Sequence, residues 1–244
     1  GQKMLQGLAL ARRIQESFLP QHIPQIPGWQ LAAALEPARQ MAGDYYDFIH
    51  LPEGKLGVLI ADVADKGLGP ALYMALSRTL IRTFATQYPA QPAQVLSRVN
   101  QRILEDARAN LFVTVFYGVL DPATGQLTYA NAGHPPPYLI NANPGIQILR
   151  NTGMPLGIDE ESVWGQETVR IQPGEVLLLY TDGVTDAQNS QGEFIDRKTI
   201  LAVAGGCPGK PVDLIRQDIL EVVHDFVGEA ARFDDITLVV LSRE

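Results

Sequence analysis

The sequence predicts an α+β fold in which mainly antiparallel sheets are covered by helices. Strand-like segments come in runs, helix-like segments arrive in pairs between those runs, and no stretch shows the strict alternation of βαβ units. With 244 residues, 46% hydrophobic and 19% charged, the chain has the composition of one large globular core, not of a disordered segment.

Residues 3–19 read as a helix, with Met4, Ala11, Ile14 and Phe18 giving a partly apolar face and Leu5, Leu8, Arg12 and Gln15 a mixed one. Pro20, Pro24 and Pro27 stop it. A terminal helix set off by prolines packs on its own domain or pairs with a partner helix. From Trp29 to Asp62 the pattern is strand-like in three segments, 29–36, 44–50 and 56–62, with a hairpin turn at Pro52-Glu53-Gly54-Lys55. A helix then opens at Gly69-Pro70 and carries Leu72, Leu76, Leu80 and Thr83 at helical spacing. Another runs from about Pro92 to Ala109, with Val95, Val99 and Ile103 opposite Gln94, Arg98 and Arg102. Both apolar stripes are expected in the core. Leu111–Leu120 and Gln126–Ala130 form a hairpin about the turn Asp121-Pro122-Ala123-Thr124-Gly125. Strands are expected at 136–140, 145–149, 166–171 and 175–181, helices at about 197–204 and 211–227, and a last strand at 236–241.

Composition removes several functions. A net charge of −8 and a pI near 5.0 argue against nucleic acid as a partner, because phosphate backbones need clustered Lys and Arg. The single cysteine, Cys207, allows neither an internal disulfide nor a thiolate metal cluster and fits a reducing cytoplasm. No stretch has the length of an apolar membrane span, and the N-terminus lacks the layout of a signal peptide.

Four aspartates carry the chemistry. Asp44 lies in Ala42-Gly43-Asp44-Tyr45-Tyr46-Asp47-Phe48, and Asp62 ends the apolar run Leu56–Ala61 before a glycine-containing loop. Asp182 follows Glu175–Thr181 and opens a turn at Gly183, and Asp235 precedes the strand-like Ile236–Leu241. Each sits at the mouth of a buried-looking strand, where desolvating a bare charge is costly. Converging carboxylates repel one another unless a cation neutralises them, and oxygen ligands suit hard ions such as Mg²⁺ or Mn²⁺. Strand alternation puts Asp44 and Asp47 on opposite faces, so one of the two acids can be structural. Asp234 and Asp235, side by side, suppress each other's ionisation unless something neutralises them.

Other reaction types find no support. The chain has no Gly-x-Ser-x-Gly elbow, no phosphate-binding Gly-x-x-x-x-Gly-Lys-Ser/Thr loop and no His-Glu-x-x-His. Its four histidines are dispersed, and His134, in Asn131-Ala132-Gly133-His134-Pro135, reads as a hydrogen-bonded structural residue. Carboxylates without imidazole or thiolate favour a two-metal site and phosphate-ester hydrolysis.

In this order the segments ARRIQESFLP, GDYYDF, DVADKG, FVTVFYGVLD, YANAGHPPPYLI, GMPLGI, YTDGVTDA and FDDITLVV resemble the SpoIIE-like phosphatases, a bacterial branch of the metal-dependent type 2C (PPM) serine/threonine phosphatases. The similarity spans about residues 10–242. It implies a sandwich of two antiparallel sheets with helices outside, a connector or dimerisation helix at residues 1–20 and a catalytic domain at 21–244. It further implies two Mn²⁺ or Mg²⁺ ions, bridged by Asp62, with the Val63 carbonyl on one and Asp182 and Asp235 on the other. Asp44 would hold metal-bound water or bind a metal directly. Members remove phosphate from phosphoserine or phosphothreonine, often on STAS-domain anti-sigma-factor antagonists, and commonly follow an upstream sensor domain. The chain departs from the pattern at Ala42 and Asp65, where glycine is frequent. His134 stands near where larger relatives place an acid for a third metal, and Arg39 is the one candidate for their phosphate-binding arginine. The competing class is a partner-binding domain that keeps the fold and acts by sequestration, and the retention of all four aspartates counts against it.

Overall fold

The ten strands among the described residues divide into two five-stranded sheets, each wholly antiparallel. The computed structural model describes residues 2–65, 67–107, 110–141 and 145–244, with side chains from residue 6 onward. In chain order the elements are α1 (Gln2–Phe18), β1 (Trp29–Glu36), β2 (Asp44–His50), β3 (Leu56–Val63), α2 (Leu68–Gln87), α3 (Pro92–Asp106), β4 (Val113–Asp121) and β5 (Gln126–Ala132). They continue with β6 (Tyr138–Ile140), β7 (Ile146–Ile148), β8 (Glu167–Arg170), β9 (Val176–Tyr180), α4 (Asp182–Thr185), α5 (Arg197–Gly205), α6 (Val212–Val227) and β10 (Ile236–Arg243). One sheet has the order β1-β10-β9-β6-β7 and the other β2-β3-β4-β5-β8.

The sheets pack face to face with helices outside both, as the sequence and the resemblance lead one to expect. Period-two alternation explains the layers. In β9, Leu177 and Leu179 point into the core between the sheets, while Leu178 and Tyr180 point out against α6. Between the sheets, Phe48, Ile60, Phe116 and Tyr129 meet Leu177, Leu179, Val239 and Leu241. On the far side of the second sheet, Tyr45, Leu59 and Tyr117 pack with Met74, Ile81, Val95 and Val99 from α2 and α3. Strands buried on both faces read as unbroken apolar runs, and each fully buried side chain of this size contributes roughly 1.5–3 kcal/mol.

One helix face differs from expectation. In α2 the expected leucine stripe is not the buried one: Leu72 is 66% exposed, and Met74, Ser77, Ile81 and Ala85 face the sheet. The helix carries two apolar stripes about a third of a turn apart, and the one with small residues wins because it lets the helix approach closely. Ser77 Oγ then lies 2.7 Å from the Tyr45 hydroxyl. In α1, Ile14 is 51% exposed and Gln15 is buried. Phe18 packs on the core, with the Arg78 guanidinium 5.8 Å from its ring centroid. The α3 stripe is buried as expected, although the helix ends at Asp106. The expected end at Ala109, the side chains of Met4 and Leu5, and Lys66 of the DVADKG motif lie outside the described residues.

Candidate metal centre

At one end of the sandwich the core between the sheets gives way to carboxylates. Alternation places Asp44 on the face of Tyr46 and Phe48, and Asp62 on the face of Val58 and Ile60, so both leave their strands toward the space between the sheets. They are also Cα partners across β2 and β3, two like charges directly opposite each other, which is a destabilising pair. The other sheet supplies Asp182, at the start of α4 just beyond β9, and Asp234 and Asp235, just before β10.

Two glycines make the convergence possible. A Cβ at Gly183 would lie 1.9 Å from the Asp235 carbonyl oxygen, so only glycine allows the turn after β9 to approach β10 this closely. At Gly43 a Cβ would lie 3.1 Å from the Val63 carbonyl oxygen, the backbone group implied as a metal ligand.

Neutral donors hold the acids in place. Asp44, 1% exposed, accepts hydrogen bonds at Oδ2 from the hydroxyls of Thr181 and Thr237, both at 2.6 Å. Asp235 accepts the backbone N–H of Ala38 at Oδ1 and that of Gly43 at Oδ2, each at 2.8 Å. Both carboxylates retain lone pairs beyond these bonds. Burial, reinforced by the charges of Asp182 and Asp234, pushes Asp62 up to about 7. Burial, then Asp62 and Asp235, raises Asp44 well above the usual carboxylate range, against the pull of its two threonine bonds. Asp62, Asp65, Asp234 and Asp235 line one cleft, with Arg39 in its wall.

Asp47 is the structural acid of its pair. Fully buried on the opposite face of β2, it accepts from Arg82 Nε and Nη2 at 2.5 and 2.8 Å, with Arg78 Nε at 3.2 Å, and so ties β2 to α2. His134 is also structural, as expected. It is fully buried, and burial lowers its pKa to about 4, so the ring is neutral. A carbonyl can only accept, so Nε2–H donates to Tyr180 O at 2.9 Å and Nδ1 accepts from the Thr114 hydroxyl at 3.0 Å. The ring therefore braces β4, where Thr114 is the Cα partner of Asp62, against β9 just before Thr181.

The donor set fits hard divalent cations: oxygen ligands, mutual repulsion and no soft ligand. Among the described residues no three His, Cys, Asp or Glu side chains are gathered for ligation as they stand. Mg²⁺-type sites commonly use one or two carboxylates and complete the shell with water, so a ready-made group of three is not required. Sequence reasoning missed Thr181 and Thr237, whose signal is a buried hydroxyl beside a strand-end aspartate. It also missed Gln15, whose side-chain amide donates to Ala42 O and accepts from Ala42 N–H at 3.0 Å. That contact joins α1 to the segment whose N–H groups hold Asp235.

Comparison with known proteins agrees with this fold. Protein IcfG of Synechocystis sp. is 33% identical over 97% of this chain, and phosphoserine phosphatase RsbU of Bacillus subtilis is 28% identical over 100% of it. The chain spans 41% of the length of the first and 72% of the second. In fold it is similar to the SiaA-PP2C domain of Pseudomonas aeruginosa, with a TM-score of 0.88, 20% identity and coverage of 100% of this chain and 98% of that one. The profile of the family described as Stage II sporulation protein E (SpoIIE) matches residues 52–244, a span that takes in Asp62, Asp182 and Asp235. The chain belongs to the SpoIIE family.

Proposed function

We propose that the chain is a Mn²⁺- or Mg²⁺-dependent protein phosphatase acting on phosphoserine or phosphothreonine in a bacterial signalling pathway. The observation that carries the reading is the pair of buried Asp44 and half-buried Asp62, opposed across β2 and β3, with Asp182 and Asp235 arriving from the other sheet. The family membership and the relative named as a phosphoserine phosphatase support it.

Asp62 would bridge two ions, the Val63 carbonyl would contact one, and Asp182 and Asp235 would hold the other. Asp44 would contact a metal or its water. When bound, such ions lower the pKa of a shared water and stabilise charge on the phosphoryl group. The chain's residues position and exclude. Thr181 and Thr237 fix the orientation of Asp44, the Ala38 and Gly43 amides fix Asp235, and Gly183 keeps the two sheets' acids within reach of one another. Arg39, in the wall of the cleft, would bind the substrate phosphate.

The substrate proposed is a phosphorylated STAS-domain anti-sigma-factor antagonist in the cytoplasm. Residues 1–20 act as the connector through which an upstream sensor domain or dimerisation reaches the catalytic domain, with Gln15 at the point of contact. No helix among the described residues is long and apolar enough to cross a membrane. The test is hydrolysis of p-nitrophenyl phosphate and of a phosphorylated STAS protein with added Mn²⁺. Loss of turnover in both Asp62→Asn and Asp182→Asn is expected, and unchanged turnover in both would sink the site assignment. Metal-independent binding of the phosphoprotein without turnover would instead point to sequestration.

A further inference from the structure

Beside the carboxylate cleft lies a second cavity, lined by apolar and polar side chains alike. Asp182 and Asp234 form one wall of a cavity of about 180 Å³, whose other sides include Phe194, Val227, Arg232 and Phe233. Asp234 lines both this cavity and the cleft that holds Asp62 and Asp235, so the two adjoin at that residue. Phe194 and Phe233 are 60% and 62% exposed, and paired large apolar side chains beside a polar cleft mark a binding surface.

The fold holds Phe194 outward. Residues 187–195 form a hairpin closed by Ile195 N–H to Ala187 O at 2.9 Å and Asn189 N–H to Glu193 O at 3.0 Å. At its tip Asn189 Oδ1 accepts from the N–H groups of Gln191 and Glu193 at 3.0 and 2.9 Å. Alternation along the returning arm then sends Ile195 into the core and Phe194 to the cavity. Arg232, the cation in the wall, is committed to Glu36 at 2.8 Å, which leaves Asp182, Asp186 and Asp234 to set the sign of the local field.

We infer that this cavity is a substrate subsite that receives an apolar side chain within two residues of the phosphorylated serine or threonine. The inference rests on the phosphatase reading given above. A phosphate held by the ions that Asp62 and Asp235 would bind brings its flanking residues, at roughly 3.3–3.6 Å each when extended, toward the shared Asp234 wall. A volume of ~150 Å³ accommodates a benzene-sized group, so a leucine, methionine or phenylalanine side chain fits the space against Phe194, Phe233, Val227 and Ile236. An acidic side chain would be desolvated beside Asp186 and Asp234, which is costly.

The test uses phosphoserine peptides that carry leucine or aspartate at each of the two positions on either side of the phosphoserine, assayed with Mn²⁺. Filling an apolar pocket correctly is worth roughly 10–200-fold in kcat/KM. The wild-type protein should therefore prefer leucine by about tenfold or more at one or two of these positions, mainly through KM. Phe194→Ala should reduce that ratio to about threefold or less, and Phe194→Leu should retain most of it. The ratio is taken within one enzyme preparation, so partial unfolding lowers both rates alike and leaves it unchanged. A wild-type enzyme that turns over p-nitrophenyl phosphate but shows no preference at any position overturns the subsite alone. So does a preference that survives in both Phe194→Ala and Phe233→Ala. Inactivity on p-nitrophenyl phosphate and on every peptide overturns the phosphatase reading and the subsite with it.

Discussion

Replacing Asp62 by asparagine should stabilise the metal-free protein while abolishing its activity. Asp62 is pushed from the usual 3.8 to about 7, first by burial and then by the charges of Asp182 and Asp234. At ~1.36 kcal/mol for each pH unit, the ionised side chain costs the metal-free fold on the order of 4 kcal/mol at about pH 8. The folded state holds this proton more tightly than the unfolded chain does. The associated stability is therefore fully present below about pH 4 and is lost as pH rises through about 7. Asparagine keeps the shape and carries no charge. If relaxation of the neighbours leaves about 2–4 kcal/mol to recover, Asp62→Asn should melt roughly 5–15 °C above wild type in EDTA at about pH 8, given 2–4 °C per kcal/mol for a chain of this size. At about pH 5 folded wild-type Asp62 is mostly protonated but the unfolded carboxyl is still mostly ionised, so the gap should shrink by roughly half or more without vanishing. Saturating Mn²⁺ should reverse the order at about pH 8, because only the wild-type site gains binding free energy. Scanning calorimetry with and without Mn²⁺ at the two pH values, run beside a turnover assay, measures all of this. A variant that melts at or below wild type in EDTA at about pH 8, or one whose advantage is as large at about pH 5, would refute the reasoning.

Three further perturbations separate the site from its supports. Thr181→Val and Thr237→Val each remove a hydrogen bond that lowers the Asp44 pKa. Each should weaken Mn²⁺ binding by roughly 10–100-fold, with a deficit that shrinks as pH rises, and calorimetric titration giving wild-type affinity in both would contradict the assigned role. Asp47→Asn leaves Arg78 and Arg82 without their buried partner and should cost about 3–5 kcal/mol in urea denaturation with Mn²⁺ affinity preserved; a parallel loss of affinity would count against treating Asp47 as structural. Gln15→Ala removes both bonds to Ala42 and, at about 1–3 kcal/mol, should weaken Mn²⁺ binding at least severalfold, whereas unchanged affinity and turnover would show α1 to be uncoupled from the cleft.

The sequence alone settled what local periodicity and turn chemistry encode. Strand runs, paired helices and the position of Asp44, Asp62, Asp182 and Asp235 at strand mouths follow from apolar patterns a few residues long, and the order of the motifs carried the family. The opposite faces of Asp44 and Asp47 followed from alternation alone. Periodicity could not choose between the two apolar stripes of α2, because the deciding quantity is how closely Ser77 and Ala85 let that helix approach the sheet. Nor could it pick out Gln15, a polar residue buried only because Ala42 offers it both a donor and an acceptor. The site itself was decided in three dimensions. Thr237 and Asp44 stand 193 positions apart in the chain, and they meet only because strand register sets Asp44 against Asp62 and Gly183 lets the turn after β9 close on Asp235. Nothing local specifies such a contact. It comes from the packing of two sheets, which also brings the Asp235 carboxylate to the Gly43 and Asp44 amides.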